Sequence, residues 1–178
     1  MPVDGAYTHL AVFKFFYDEL KKHRQPDSSL ETARNLWTQI LQKGYFHPSE
    51  DWVSYVPRRS TTPHNDPPVL VMRVLNKVRD EFELGGVMVA DDCEAGGWGK
   101  QEEQVVGFVK GIAGQEGHTP REGGVFAIVP KGTKVRFYWL DGEGVLMPYP
   151  LSGEQVYEVK EDEEEILEVL KDITERFA

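Results

Sequence analysis

Acidic side chains that could hold a metal ion flank two apolar segments in the middle of the chain. Asp92 and Glu94 follow the apolar segment Val87–Ala90, and Asp66 precedes the β-branched segment Val69–Leu75. Carboxylates at neighbouring strand ends can converge, and carboxylate oxygens are ligands that Mg²⁺ and Mn²⁺ prefer. A metal held there would lower the pKa of a bound water and stabilise a phosphate transition state. The pattern therefore suggests a site for phosphoester chemistry.

The same residues also have a plain structural interpretation, in which residues 91–97 form a solvated acidic loop that turns at two glycines. His64 lies two residues from Asp66 and is either a member of the site or a loop histidine in water. The five histidines show no His-x-x-x-His spacing, so a zinc site is not predicted. Cys93 stands between two acids, which raise a thiol pKa, so the sequence does not favour a nucleophilic role.

Apolar periodicity predicts the elements that would position these residues. Helices are predicted over Tyr7–Arg24, from a capping signal at Ser28 to about Gln42, over Lys100–Ala113, and after the acidic block Glu161–Glu165. Strands are predicted at Trp52–Val56, Val69–Leu75, Val87–Ala90, Val125–Val129 and Thr133–Leu140, with smaller ones at Val145–Met147 and Gln155–Val159. Gly85 and Gly86 are expected to break the chain, and residues 69–84 fit either a strand pair or a helix. The order predicts an α/β or α+β fold with a mixed central sheet flanked by helices.

Composition limits the functional classes. The 178 residues are expected to form one domain: a helix appended at 1–26, a core at 27–140, and small strands with a C-terminal helix at 141–178. A formal net charge of −10 disfavours a general nucleic-acid coat, although a small basic groove is compatible with it. A single cysteine predicts no internal disulfide and a reducing, intracellular setting, cytoplasmic or nuclear. No signal peptide, membrane span or membrane partner is predicted.

The order of predicted elements resembles the core of the restriction-endonuclease-like, PD-(D/E)XK nuclease family. In that family an Asp starts the second core strand, and an acid-x-Lys motif closes the third. The segments Asn65–Val71 and Val87–Glu94 are similar to these two elements. The resemblance implies that Asp66 and Asp92 are metal ligands, with Glu94 as an auxiliary ligand in the position of the family's Lys.

That departure matters because the family's Lys positions or activates the attacking water, whereas Glu94 carries the opposite charge. Lys100, at the start of the third predicted helix, is the candidate for the missing cation. The resemblance covers residues 30–140, and its late strand pair is similar to that of small fungal proteins of uncharacterised function that share this core. Either Mg²⁺ or Mn²⁺ is the implied cofactor.

Three functions are compatible with these patterns. The missing Lys and the negative charge favour a degenerate, non-catalytic member of the family that works as a binding or assembly module. Its protein partner, or a second copy of the chain, would contact the aromatic residues of the first helix: Phe13, Phe15, Phe16 and Tyr17. The alternatives are a Mg²⁺- or Mn²⁺-dependent nuclease or phosphodiesterase that uses Asp66 and Asp92, and a small-molecule enzyme with an acidic pocket.

Overall fold

The computed structural model describes residues 7–22, 26–44, 52–56, 69–90, 97–113, 119–150 and 156–177. After a short 3-10 helix (Tyr7–His9), the helices are α1 (Ala11–Lys22), α2 (Pro26–Gly44), α3 (Gly99–Ile112) and α4 (Glu163–Phe177). The strands are β1 (Trp52–Tyr55), β2 (Val69–Asn76), β3 (Glu81–Val89), β4 (Val125–Lys131), β5 (Lys134–Leu140), β6 (Leu146–Tyr149) and β7 (Tyr157–Glu158). This inventory confirms the predicted mixture of helices with a central sheet.

The seven strands form one mixed, open sheet in the order β1-β2-β3-β4-β5-β6, with β7 paired to the first residues of β5. Among the described strands only β3 and β4 pair in parallel, because the crossover through α3 returns the chain in the same direction. All other neighbouring strands are antiparallel. We call the end of the sheet where β3 and β4 finish and β2 begins the carboxyl end. We call the end that carries the β2–β3 turn, residues 77–80, the hairpin end.

Helices cover both faces of the sheet. Successive residues of a strand point to opposite faces, and apolar residues occur at both sets of positions. Phe126 and Ile128 of β4 belong to an apolar core that includes buried residues of α1, α2 and α4. The alternate residues Ala127 and Val129 belong to a second core, which includes Val105 of α3. The central strands are therefore buried on both faces, which explains their nearly continuous apolar sequences.

Residues 69–84 form a strand pair, so the helical alternative for this segment is wrong. The predicted break at Gly85 and Gly86 is also wrong, because both glycines lie inside the continuous strand β3. The β2–β3 register shifts at this point, since Met72 pairs with Gly86 while Arg73 pairs with Leu84. Gly85 is left without a partner in β2, so the glycine pair forms a β-bulge rather than a turn.

The start of α2 also differs from the prediction. The helix begins at Pro26, two residues before the predicted cap Ser28, which therefore lies inside the first turn. Proline is favoured in the first turn of a helix because its missing N–H needs no partner there.

The N-terminal segment is anchored to the C-terminal part of the chain. The Tyr7 hydroxyl donates a hydrogen bond to the Val159 carbonyl oxygen at 2.5 Å, and the Tyr17 hydroxyl lies 3.1 Å from Glu158 Oε1. Tyr17 and Phe13 are buried, whereas Phe15 stays 61% exposed. The predicted aromatic surface of the first helix is thus largely part of the core.

A substitution of Gly86 tests the bulge. A Cβ at position 86 would collide with the ring of Phe126, which is fully buried, so Gly86→Ala should destabilise the fold by about 1–3 kcal/mol. At Gly107 in α3 a Cβ meets no atom within 4 Å, so Gly107→Ala should stabilise by about 0.5–1 kcal/mol. Urea denaturation measures both, and equal effects of the two variants would contradict the predicted clash.

The hydrogen bonds that the Glu158 carboxylate accepts from the backbone predict that the protein loses stability in acid. Burial alone would raise the pKa of Glu158, but hydrogen bonds, chiefly from the backbone N–H groups of Lys160 and Glu161, hold it below its ordinary value of 4.5. A lowered native pKa contributes stability above the unfolded-state value and loses it as the pH falls through the native value. The free energy of unfolding should therefore be higher for wild type than for Glu158→Gln. This difference should be largest above about pH 5.5 and should shrink below pH 4.5.

Urea denaturation over a pH series measures this advantage. Glu168→Gln, which removes a carboxylate from an exposed position of α4 and leaves the hydrogen bonds to Glu158 in place, is the matched control. A constant difference between wild type and Glu158→Gln across the acid range would contradict the assignment.

Candidate functional site

Strand register brings three chain segments to the carboxyl end of the sheet. Val69, the first residue of β2, pairs with Val89, the last residue of β3. Met88 pairs with Ile128 in the parallel neighbour β4, which continues three residues further to Lys131. The start of β2, which follows Asp66 in the sequence, and the end of β3, which precedes Asp92, therefore lie side by side.

The acidic candidates themselves lie outside the described residues. This applies to Asp66, Asp92 and Glu94, and also to His64 and Cys93. Their convergence stays a prediction. Among the described residues, no group of three His, Cys, Asp or Glu side chains is placed to hold a metal ion.

Lys100, the predicted cation, is the second residue of α3, and its side chain is exposed. A different lysine, Lys131, is buried at the carboxyl end of the sheet. Lys131, at the last position of β4, is only 2% exposed. Its Nζ donates a hydrogen bond to the Gly97 carbonyl oxygen at 3.1 Å and lies 5.3 Å from the ring centroid of Trp98.

These contacts offset the cost of burying an ammonium group, since a buried charge is tolerated when polar partners and aromatic faces replace water. Gly97 and Trp98 connect residues 91–96 to the first turn of α3. Lys131 therefore fixes the chain that follows the acidic segment against the end of β4.

A second cation, Arg136, also contacts the indole ring of Trp98. The guanidinium carbon of Arg136 lies 4.8 Å from the ring centroid of Trp98, and its NH1 lies 3.8 Å from Glu102 Oε1. The Tyr138 hydroxyl donates a hydrogen bond to the same carboxylate oxygen at 2.7 Å. Burial first, and then this hydrogen bond, raises the pKa of Tyr138 far above its ordinary value, so the phenol remains a neutral donor.

The arrangement suits an anionic group near the carboxyl end of the sheet. Lys131 and Arg136 both carry positive charge beside the N-terminus of α3, where the helix dipole adds a partial positive charge. In open α/β sheets, ligands bind outside the carboxyl ends of the parallel strands. Fixed cations in a largely water-excluded position attract anions more strongly than exposed ones do.

Sequence reasoning missed both cations. Pro130-Lys131-Gly132 is typical of a turn, whereas the structure extends β4 through Lys131. The two-residue period that places Ala127 and Val129 on the α3 face also predicts that face for Lys131. The two-residue period could therefore have placed Lys131 in the strand, but the flanking Pro130 and Gly132 are typical of a turn and favoured the other interpretation.

Replacing Lys131 tests its connection to α3. Lys131→Met keeps the apolar stem but removes the hydrogen bond to Gly97, so the first turn of α3 should open more often. The amide N–H groups of Gln101 and Glu102, which donate to the Trp98 carbonyl oxygen, should exchange about fivefold faster or more.

Hydrogen exchange followed by NMR measures these rates. Lys100→Met removes a charge from an exposed side chain in the same turn and should leave them unchanged. Unchanged exchange in Lys131→Met would show that the contact does not hold α3.

Comparisons with known proteins add no relative. The chain matches no protein-family model, no curated protein and no solved structure. None of the described helices is both long and apolar enough to cross a membrane. The resemblance of residues 30–140 to the restriction-endonuclease-like family accordingly stays a prediction.

Proposed function

We propose that this chain is a restriction-endonuclease-like domain that binds Mg²⁺ or Mn²⁺ at the carboxyl end of its sheet and hydrolyses a phosphodiester. The element order α2-β1-β2-β3-α3-β4 supports the family assignment, because it repeats the helix–strand–strand–strand–helix–strand order of that core. The observation that carries the proposal is the pairing of Val69 with Val89.

That pairing limits how far apart the two proposed ligands can be. Asp66 lies three residues before Val69, and Asp92 lies three residues after Val89. Three residues of extended chain span at most about 11 Å, so each aspartate stays within that distance of a paired strand end. Two carboxylates tethered in this way can reach one cation.

The positive charge at this end of the sheet supports the phosphoester chemistry, since Lys131 is buried and Arg136 is half-buried. In the proposed site Asp66 and Asp92 hold the metal, and Glu94 is an auxiliary ligand. The metal would lower the pKa of a bound water. Lys131 offsets the negative charge of the carboxylates and attracts the phosphate, and Arg136 adds the part of its charge that Glu102 does not balance. Lys131 thereby replaces Lys100 as the candidate for the cation that Glu94 cannot supply.

A binding or assembly role through α1 is the second candidate, and the exposure of this helix favours it. Phe15 of α1 is 61% exposed and Leu10, which directly precedes α1, is 38% exposed, although the neighbouring aromatic residues Phe13 and Tyr17 are buried. The apolar surface left on α1 is therefore smaller than the sequence alone predicts.

Thermal denaturation with Mn²⁺ tests the metal site. A ligand that binds only the native state raises its stability, so about 1 mM Mn²⁺ should raise the melting temperature by about 3–6 °C if the dissociation constant is near 0.1 mM. Asp66→Asn and Asp92→Asn should remove this shift. Glu122→Gln, which changes an exposed acid that contacts Arg79 near the hairpin end, should retain it.

Hydrolysis of bis(p-nitrophenyl) phosphate tests the chemistry in the same samples. Mn²⁺-dependent release of nitrophenol should occur in wild type and in Glu122→Gln and be lost in Asp92→Asn. No melting shift would contradict the metal site. A shift without hydrolysis would contradict the enzymatic part alone, and hydrolysis that survives in Asp92→Asn would indicate a contaminant.

A further inference from the structure

A groove of about 610 Å³ runs along α3 where this helix faces β5 and β6. Its volume lies within the range of sites that bind small organic ligands. Val106, Leu146 and Pro148 give the groove an apolar wall. At Gly107, in the middle of the groove, a Cβ would meet no atom within 4 Å, so the missing side chain leaves the centre open.

One end of the groove is acidic. Glu103 is exposed, and its carboxylate makes no hydrogen bond or ion pair with a described residue. Glu102 Oε1 accepts a hydrogen bond from Tyr138 and lies 3.8 Å from Arg136 NH1. Because Arg136 already balances much of the charge of Glu102, Glu103 supplies most of the attraction for a cation.

The other end is basic. Lys110 lines the groove, is exposed, and its ammonium group makes no hydrogen bond or ion pair with a described residue. It follows Glu103 by seven residues, which is two helical turns on the same side of α3 and about 10 Å along the axis. The groove therefore presents opposite, uncompensated charges at its two ends with an apolar wall between them.

We propose that this groove binds a short zwitterionic peptide of about three residues, whose extended length of about 10 Å matches the separation of the charges. The N-terminal ammonium group pairs with Glu103, and the C-terminal carboxylate pairs with Lys110. An apolar side chain in the middle packs against Val106, Leu146 and Pro148. The groove shares Glu102 and Tyr138 with the contacts of Arg136, but the proposal rests on Glu103, Lys110 and the apolar wall and does not depend on the metal site.

Titration of the ¹⁵N-labelled chain with the tripeptide Ala-Leu-Ala tests the proposal. The amide signals of α3 and β6 should shift, with a dissociation constant of about 1–10 mM, as expected for a small ligand in an open groove. N-acetylation or C-amidation removes one terminal charge, and each should weaken binding about threefold or more.

Two glycine substitutions on the same helix provide matched variants. Gly107→Leu fills the groove and should abolish binding, while leucine favours the helix and so preserves the fold. Gly111→Leu makes the same change where a Cβ also meets no atom within 4 Å, but outside the groove lining, and should bind as wild type does. Equal affinity of the capped peptides, wild-type affinity in Gly107→Leu, or no shift at about 20 mM Ala-Leu-Ala would overturn the proposal.

Discussion

The pairing of β2 with β3 is the constraint on which the rest of the molecule depends. It sets Val69 opposite Val89 and so determines which chain segments leave the sheet together. The bulge at Gly85 is part of this constraint, because one extra residue reverses the faces that later side chains occupy. With the bulge, Leu84 and Val87 both belong to the core that includes α3, although they lie three positions apart and would face opposite sides of a regular strand.

Packing then fixes what lies at the carboxyl end of the sheet. Alternation along β4 carries Lys131 to the α3 face, and alternation along β5 carries Arg136 to the face that it shares with Tyr138. Both cations meet Trp98, which directly precedes α3. The two-residue period of the strands thus places two positive charges beside Trp98. These charges connect the fold with the proposed chemistry.

Much of the secondary structure could be predicted from the sequence, because apolar periodicity reflects burial directly. Four helices and the central strands appear where the apolar residues recur at helical or strand spacing. The role of Gly86 in β3 could not be predicted, since it depends on the ring of Phe126, forty residues away in the sequence. The buried position of Lys131 depends in the same way on Trp98, a contact that no local pattern reveals.

Paramagnetic broadening by Mn²⁺ tests the central claim, the convergence of acids at the carboxyl end of the sheet, most directly. Bound Mn²⁺ should broaden the amide signals of Val69, Val89 and Gly97 and leave those of Asn76 and Glu81 sharp, because β3 separates the two ends of the sheet by about 25–30 Å. Asp92→Asn should restore the broadened signals. Broadening centred on the hairpin end, or spread evenly over the sheet, would contradict the account.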